Sequence, residues 1–419
     1  MEIEDDLGGE RIMTEIDSCT HSTLSSYSPE RPLILWTDFP PDMGGGGAVI
    51  LDDLIAPKER AKIVWISPLP PRKPIEGHFT AQAGSFGRRG GVGRSLFLDN
   101  TRFSGDLARE TLEIAKQKNA RAIWVLMHGA GVSVASRLAR TSPLPLHLTV
   151  HDDPAFGVAL RSRRYLALVP YIENRFRLAL KHAKSIDVIS ESMAERYKRR
   201  YGVESSVVHR GLDETIAPSI EYDRSREGLT VGVLGSMYHY HQLPILGRAV
   251  ADAAIRNGVS PRIVMIGKGF AERFRRDMKG KIEVEITGHI AEEQAIDRLR
   301  RCFLVYLNYP FAAIDSVLRQ TSFPTKLTTY LKAARPILVH APAKTSLSPL
   351  AQYHDYAYMW NNLDPQSGSE ILTRLWNDDR TVESRHERAN EVRERFFHPQ
   401  RNRSELFRML NNLVEPDSY

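Results

Sequence analysis

Four consecutive glycines, Gly44 to Gly47, separate the apolar run Pro32-Leu33-Ile34-Leu35-Trp36-Thr37 from the helix-like AVILDDLI. A backbone without Cβ atoms can approach a phosphate, and the N–H groups that open a following helix point at the anion. A strand, a glycine loop and a helix in that order therefore form a candidate anion site, with Gly45 and Gly46 at its centre. A second glycine pair, Gly267-Lys268-Gly269, ends another apolar run. Neither spells the dinucleotide fingerprint. Val49 or Ile50 stands where the first would need a later glycine, and Glu272 stands there in the second. Walker spacing, HExxH, an EF-hand loop and GxSxG are also missing, so the dehydrogenase, P-loop, metalloprotease, calcium-sensor and hydrolase readings lose their local signatures.

The elements that must position such loops alternate regularly. AKIVWISPL, RAIWVLMHG before GVSVASRLA, LPLHLTVHD, and SIDVISES before MAERYKRRY read as buried strands with intervening helices, the pattern of a parallel, doubly wound sheet. Residues 213–228, with Pro218 and many charges, read as a linker. A second α/β series follows in LTVGVLGS, PRIVMIGKG, KIEVEITGHI, CFLVYLNY and RPILVHAP, and SEILTRLWNDD and TVESRHERANEVRERFF carry helical spacing. The division is a disordered lead over 1–30, a domain over 31–212, the linker, a domain over 229–394 and a helical segment over 395–419. In two such domains the ligand crevice lies outside the carboxyl ends of the strands.

At 419 residues, with 42% hydrophobic and 26% charged side chains, the chain can bury two cores. No apolar run is long enough to span a bilayer, and the acidic, then Ser/Thr-rich N-terminus is unlike a signal peptide. Cys19 and Cys302 are too few for a disulfide framework and suit a reducing cytoplasm. The net charge of +6 fits an anionic substrate or surface without choosing between them.

Several segments after residue 30 resemble, in order, a GT-B glycosyltransferase of the family 4 type: FPPDMGGGGAVILDDL, LTVHDDP, SIDVISESMAERYKRRYG and VVHRGLD in the first half, then VGVLGSM, RIVMIGKG and VEITGHIAEEQAIDRLRRC. FPTKLTTYLKAARPILVHAP is similar to the family's "PSKL-x-EYLAAGKPIL" stretch. The resemblance implies two Rossmann-like domains facing across a cleft, with the C-terminal helix crossing back to the first. It implies transfer of a hexose-type sugar from a nucleotide-diphosphate donor, bound by the second domain, to a glycan, lipid-linked or other hydroxyl acceptor in the first. Polysaccharide or glycoconjugate synthesis is the setting this suggests.

By the same resemblance Lys326 stabilises the departing diphosphate, and His151 with Asp152, at a strand end, lies near the reacting sugar. Gly235, Ser236, His241, Gly267, Ile290, Thr325 and Thr329 are the donor-side candidates beside the glycine loop; Ser236 and Thr325 are also helix-cap candidates. His128, which ends an earlier strand, reads equally as a histidine bonded within the fold.

The departures matter as well. Many retaining members carry two glutamates with seven residues between them, and Thr321 and Thr329 fall on those positions. The family's Arg and Lys after the first donor-domain strand fall on Ser236 and His241, with His239 and Arg319 as substitutes. A catalytically silent GT-B domain that binds or assembles partners is therefore the alternative.

Residues 161–200 hold eleven basic and four acidic side chains with interleaved aromatics, a composition suited to an anionic membrane surface at the inner face of the membrane. The alternative is an ordinary solvated helical face. RRM, KH and zinc-finger signatures are missing, so nucleic acid is not an expected partner. No motif calls for a metal or a cofactor beyond the donor substrate.

Overall fold

The computed structural model describes residues 31–43, 46–83, 97–154, 163–212, 228–235, 239–267, 269–348, 350 and 355–413. The lead over 1–30, the linker residues 213–227, Gly44, Gly45, Ser236 and Lys268 lie outside the described residues.

The first sheet has seven parallel strands: β1 (Leu33–Trp36), β2 (Ile63–Ser67), β3 (His78–Thr80), β4 (Ala122–Leu126), β5 (Leu146–Val150), β6 (Ser185–Val188) and β7 (Ser206–Val207). Their order is β3-β2-β1-β4-β5-β6-β7. The second has six: β8 (Leu229–Leu234), β9 (Pro261–Ile266), β10 (Glu283–Gly288), β11 (Leu304–Asn308), β12 (Ile337–His340) and β13 (Ala357–Trp360), ordered β10-β9-β8-β11-β12-β13. All pairings between these strands are parallel. LILW, IVWIS, AIWVL and LVYLN are buried at every residue, as strands covered by helices on both faces must be. The edge strands β3 and β13 escaped the sequence reading, because three or four residues at a sheet edge carry too little apolar periodicity.

One hydrophobic cluster runs from the first sheet through Phe323, Phe397, Leu406 and Leu410 into one face of the second sheet, and a separate cluster covers the other face. The two halves are thus packed together rather than merely tethered. The helix Pro399–Asn411 lies on the first half, where Arg121 donates to the Leu410 carbonyl at 3.0 Å and Arg403 to the Asp53 carbonyl at 2.7 Å. Pro399 sits so close to Gly211 that a β-carbon there would be 2.7 Å from its Cα.

Candidate active site

Each sheet reverses its strand order once, between β1 and β4 and between β8 and β11. Loops diverge at such a point and leave a crevice beyond the strand ends, where open α/β sheets take their ligands.

At the second reversal the buried Tyr330 hydroxyl accepts from the Leu234 N–H at 2.9 Å and donates to the Tyr306 carbonyl at 2.8 Å. This ties the helix Lys326–Ala333 to the ends of β8 and β11. The Lys326 stem consequently passes beneath Gly235, its Cε 3.4 Å from where a β-carbon on that glycine would stand. Gly267 closes the same corner: its own β-carbon would lie 3.2 Å from Gly235 Cα. Both glycines have positive φ, +70° and +116°, which a larger residue adopts only at a cost. Burial pushes the Lys326 ammonium down to about 8. It is still mostly charged at pH 7, poorly solvated, and most favourably paired with an anion.

His239 contacts Asp315 through Nε2 at 2.6 Å, and the carboxylate is buried. His241 is exposed at the start of the helix Gln242–Asn257, its ring stacked on His239 with centroids 5.7 Å apart. Thr325 makes no side-chain cap bond, contrary to its capping expectation; its carbonyl instead accepts from the Thr328 hydroxyl at 2.7 Å. Arg319 donates to the Pro310 carbonyl at 3.2 Å and to that of Ala312, which commits it to its own loop rather than to a donor phosphate. The Thr321 hydroxyl likewise turns back into its helix, 2.8 Å from the Val317 carbonyl.

Thr329 donates to Glu292 at 3.0 Å, and Glu292 accepts from Arg210 at 2.8 Å. A carboxylate therefore does stand beside position 329, supplied from the first turn of the helix Glu292–Arg300. The sequence reading missed it because the motif lies on one helix and the carboxylate on another. Ile290, half-buried two residues before Glu292, packs against the core. Burial alone would raise the Glu292 carboxyl, but the Arg210 hydrogen bond and charge bring it below its usual range. Arg210, only 7% exposed, also pairs with Asp53 and reaches the Thr328 hydroxyl at 3.2 Å, so one guanidinium joins both halves of the chain.

At the first reversal Gly46 and Gly47 open the helix Gly46–Leu54. His151 follows β5, with its Nδ1 3.8 Å from where a Gly47 β-carbon would be. That nitrogen is buried and meets no hydrogen-bond partner among the described residues. Burial lowers the His151 pKa, so the ring is neutral at pH 7, with its buried Nδ1 beside the start of the helix Gly46–Leu54. Asp152 accepts from the Ser322 hydroxyl, four residues before Lys326, which joins this corner to the second half of the chain. Beside it His128, after β4, contacts Asp38, after β1, at 2.9 Å.

In the basic segment, Arg200 pairs with Glu173, Lys198 with Glu204 at 2.8 Å and Arg199 with Glu195 at 3.5 Å. Arg177, Lys181 and Lys184 are exposed. Among the described residues no helix is long and apolar enough to cross a membrane, and no cluster of three or more His, Cys, Asp or Glu could hold a metal ion.

Residues 44–215 match the family described as Glycosyltransferase Family 4. The fold is similar to Anabaena HepE, solved with UDP and glucose, at 15% identity and a TM-score of 0.62, covering 91% of this chain and 99% of that one. It is also similar to sucrose-phosphate synthase from Thermosynechococcus elongatus, at 13% identity, a TM-score of 0.66 and the same coverage of 91% and 99%. Trehalose-6-phosphate synthase OtsA matches at 12% identity and a TM-score of 0.63, with 92% of this chain and 100% of that one covered. No curated protein sequence matches significantly. The architecture is that of the GT-B proteins, two Rossmann-like domains about a cleft. Within that fold, the chain is similar to family 4 over residues 44–215.

Proposed function

We propose that this chain is a glycosyltransferase that moves a hexose-type sugar from a nucleotide-diphosphate donor, held at the β8/β11 crevice, to a hydroxyl acceptor at the β1/β4 crevice. The observation that carries this is Lys326, a desolvated ammonium held beneath Gly235 at the switch point of the second sheet. As the bond to the anomeric carbon breaks, charge accumulates on the leaving diphosphate, and a preorganised cation in a poorly hydrated site stabilises it. Gly235, Gly267 and Thr325 shape that corner, and His241 offers a second donor. Glu292, oriented by Thr329 and Arg210, takes the ribose hydroxyls that a carboxylate at position 329 would take. His151, beside Gly47 at the end of β5, orients the sugar, and Asp152 holds the two halves in register.

The acceptor in this reading is a glycan or a lipid-linked sugar of a cell-surface polysaccharide or glycoconjugate. Exposed Arg177, Lys181 and Lys184 support a peripheral position on an anionic membrane. The test is calorimetry and thermal shift against UDP, GDP, ADP and their sugar conjugates. One nucleotide should bind saturably and raise the melting temperature, and Lys326→Ala should abolish both effects. A folded protein that binds none of them would be an assembly partner instead.

A further inference from the structure

We propose that Arg210 is a positioning residue that couples the nucleotide site of the second half to the glycine-loop helix Gly46–Leu54 of the first, so that a nucleotide bound at one orders the other. This rests on the glycosyl-transfer reading above, which puts the ribose at Glu292, and adds to it the path by which donor binding readies the acceptor side.

Each of the three guanidinium nitrogens of Arg210 has a different partner. Nε donates to Asp53, Nη2 to Glu292 at 2.8 Å and Nη1 to the Thr328 hydroxyl at 3.2 Å. The Arg210 side chain is 7% exposed, against 30% for Asp53 and 37% for Glu292, so the cation lies inside and each carboxylate at the rim. A planar fork in such a place serves both carboxylates at once, and losing either leaves buried charge uncompensated. The backbone beside it is pinned as well: the Leu212 N–H donates to the Phe397 carbonyl at 2.7 Å, and Gly211 packs against Pro399.

At the second-half end, both partners belong to the nucleotide corner. Glu292 accepts from Thr329 through Oε1 and from Arg210 through Oε2, and a carboxylate retains lone pairs for ribose hydroxyls beyond those two bonds. Thr328 donates in turn to the Thr325 carbonyl, at the start of the helix that carries Lys326. A ligand that fixes Glu292 or that first turn therefore fixes the guanidinium.

At the first-half end, Asp53 stands in the last turn of the helix that Gly46 and Gly47 open. Its carbonyl accepts from Arg403 of the C-terminal helix at 2.7 Å, so the carboxylate alone carries the link to Arg210. The other polar contacts between the halves reach different elements. Ser190 donates to the Thr321 carbonyl at 3.3 Å and Arg196 to Gln320 at 3.3 Å, at the cap and in the body of the helix Glu191–Tyr201. Asp152 and Ser322 meet at the end of β5.

No large movement is needed. Ribose hydroxyls order Glu292, the ordered carboxylate holds the fork, and the fork holds Asp53 and its helix. Two sites joined by a chain of such bonds share the cost of ordering it, and the coupling is reciprocal: whatever orders the glycine-loop helix strengthens nucleotide binding by the same factor.

Hydrogen–deuterium exchange on the full chain reads this without an acceptor. The protein is measured alone and saturated with the tightest-binding of UDP, GDP and ADP. Nucleotide should slow exchange in the helix Gly46–Leu54 about fivefold or more, beyond any change in the helix Ser104–Gln117, which the bridge does not touch. Arg210→Met should bind nucleotide but lose this slowing. Where that variant melts early, Asp53→Ala carries the test: it keeps the Arg210–Glu292 contact and should likewise bind nucleotide without protecting the helix. Arg196→Gln, which breaks a different contact between the halves, should keep the response. Protection that persists in Asp53→Ala, or a wild-type helix unaffected by a nucleotide that calorimetry shows to bind, would overturn the coupling. Failure to bind any nucleotide is read separately by calorimetry and overturns the glycosyl-transfer reading itself.

Discussion

A lysine held near pKa 8 makes nucleotide binding depend on pH in a calculable way. Lys326 is pushed down to about 8 by burial. A diphosphate pairs with the charged form, so binding restores whatever proton the free site lacks. From that value roughly 0.1 proton should be taken up at pH 7, about 0.5 at pH 8 and about 0.9 at pH 9. The affinity for UDP should correspondingly weaken about tenfold between pH 7 and pH 9, or about 1.4 kcal/mol. Titration calorimetry in buffers of different ionisation enthalpy measures this uptake directly, and Lys326→Met should abolish both it and the pH dependence.

The folded-state value lies below the unfolded one, 10.5. The unfolded chain therefore binds more protons between about pH 8 and 10.5, and the cost of burying the ammonium is relieved as pH rises through that window. Lys326→Met should accordingly stabilise the ligand-free protein at pH 7 by up to roughly 3 kcal/mol, a gain that fades by pH 10.5. Equal proton uptake in wild type and variant, or a variant that melts lower at pH 7, would refute the account of a desolvated phosphate cation.

Other perturbations give sharper contrasts. Arg210→Ala strands Asp53 and Glu292 and should cost about 3 kcal/mol, the low end for a broken buried pair because both carboxylates are partly exposed; thermal melting measures it, and an unchanged midpoint would show that the bridge contributes nothing. Glu292→Ala should weaken UDP binding about tenfold, of the order of one hydrogen bond to a charged group, as read by calorimetry. His151→Ala should lower sugar release by about ten- to 100-fold while leaving UDP affinity within about twofold, the signature of an interaction made only as the sugar reacts. Neutralising Arg177, Lys181 and Lys184 should reduce cosedimentation with anionic vesicles about 100-fold at low salt, at ~1 kcal/mol per residue; equal binding to neutral vesicles would remove the membrane from the proposal.

Much of the scaffold was legible in the sequence. Strands such as IVWIS and LVYLN are continuous apolar runs because helices cover both of their faces. The position of Lys326 could also be read, because its neighbours Phe323, Pro324 and Leu327 belong to one local motif. Short edge strands such as β3 and β13 could not be read, since three or four residues carry too little apolar periodicity.

The partners of the site residues were a different matter. Glu292 meets Thr329 across 37 positions, Asp38 meets His128 across 90 and Asp53 meets Arg210 across 157. His128 read equally as functional or as bonded within the fold, and the structure places it against Asp38 because β1 and β4 lie side by side. The sequence by itself determined where the long buried strands end and which chemistry-bearing residues stand there, because apolar periodicity and glycine placement act over a few neighbouring residues. Only the tertiary structure decided which of those ends become neighbours, and with them which carboxylate meets which histidine, arginine or threonine, because strand order is set by crossover connections and core packing across the whole chain.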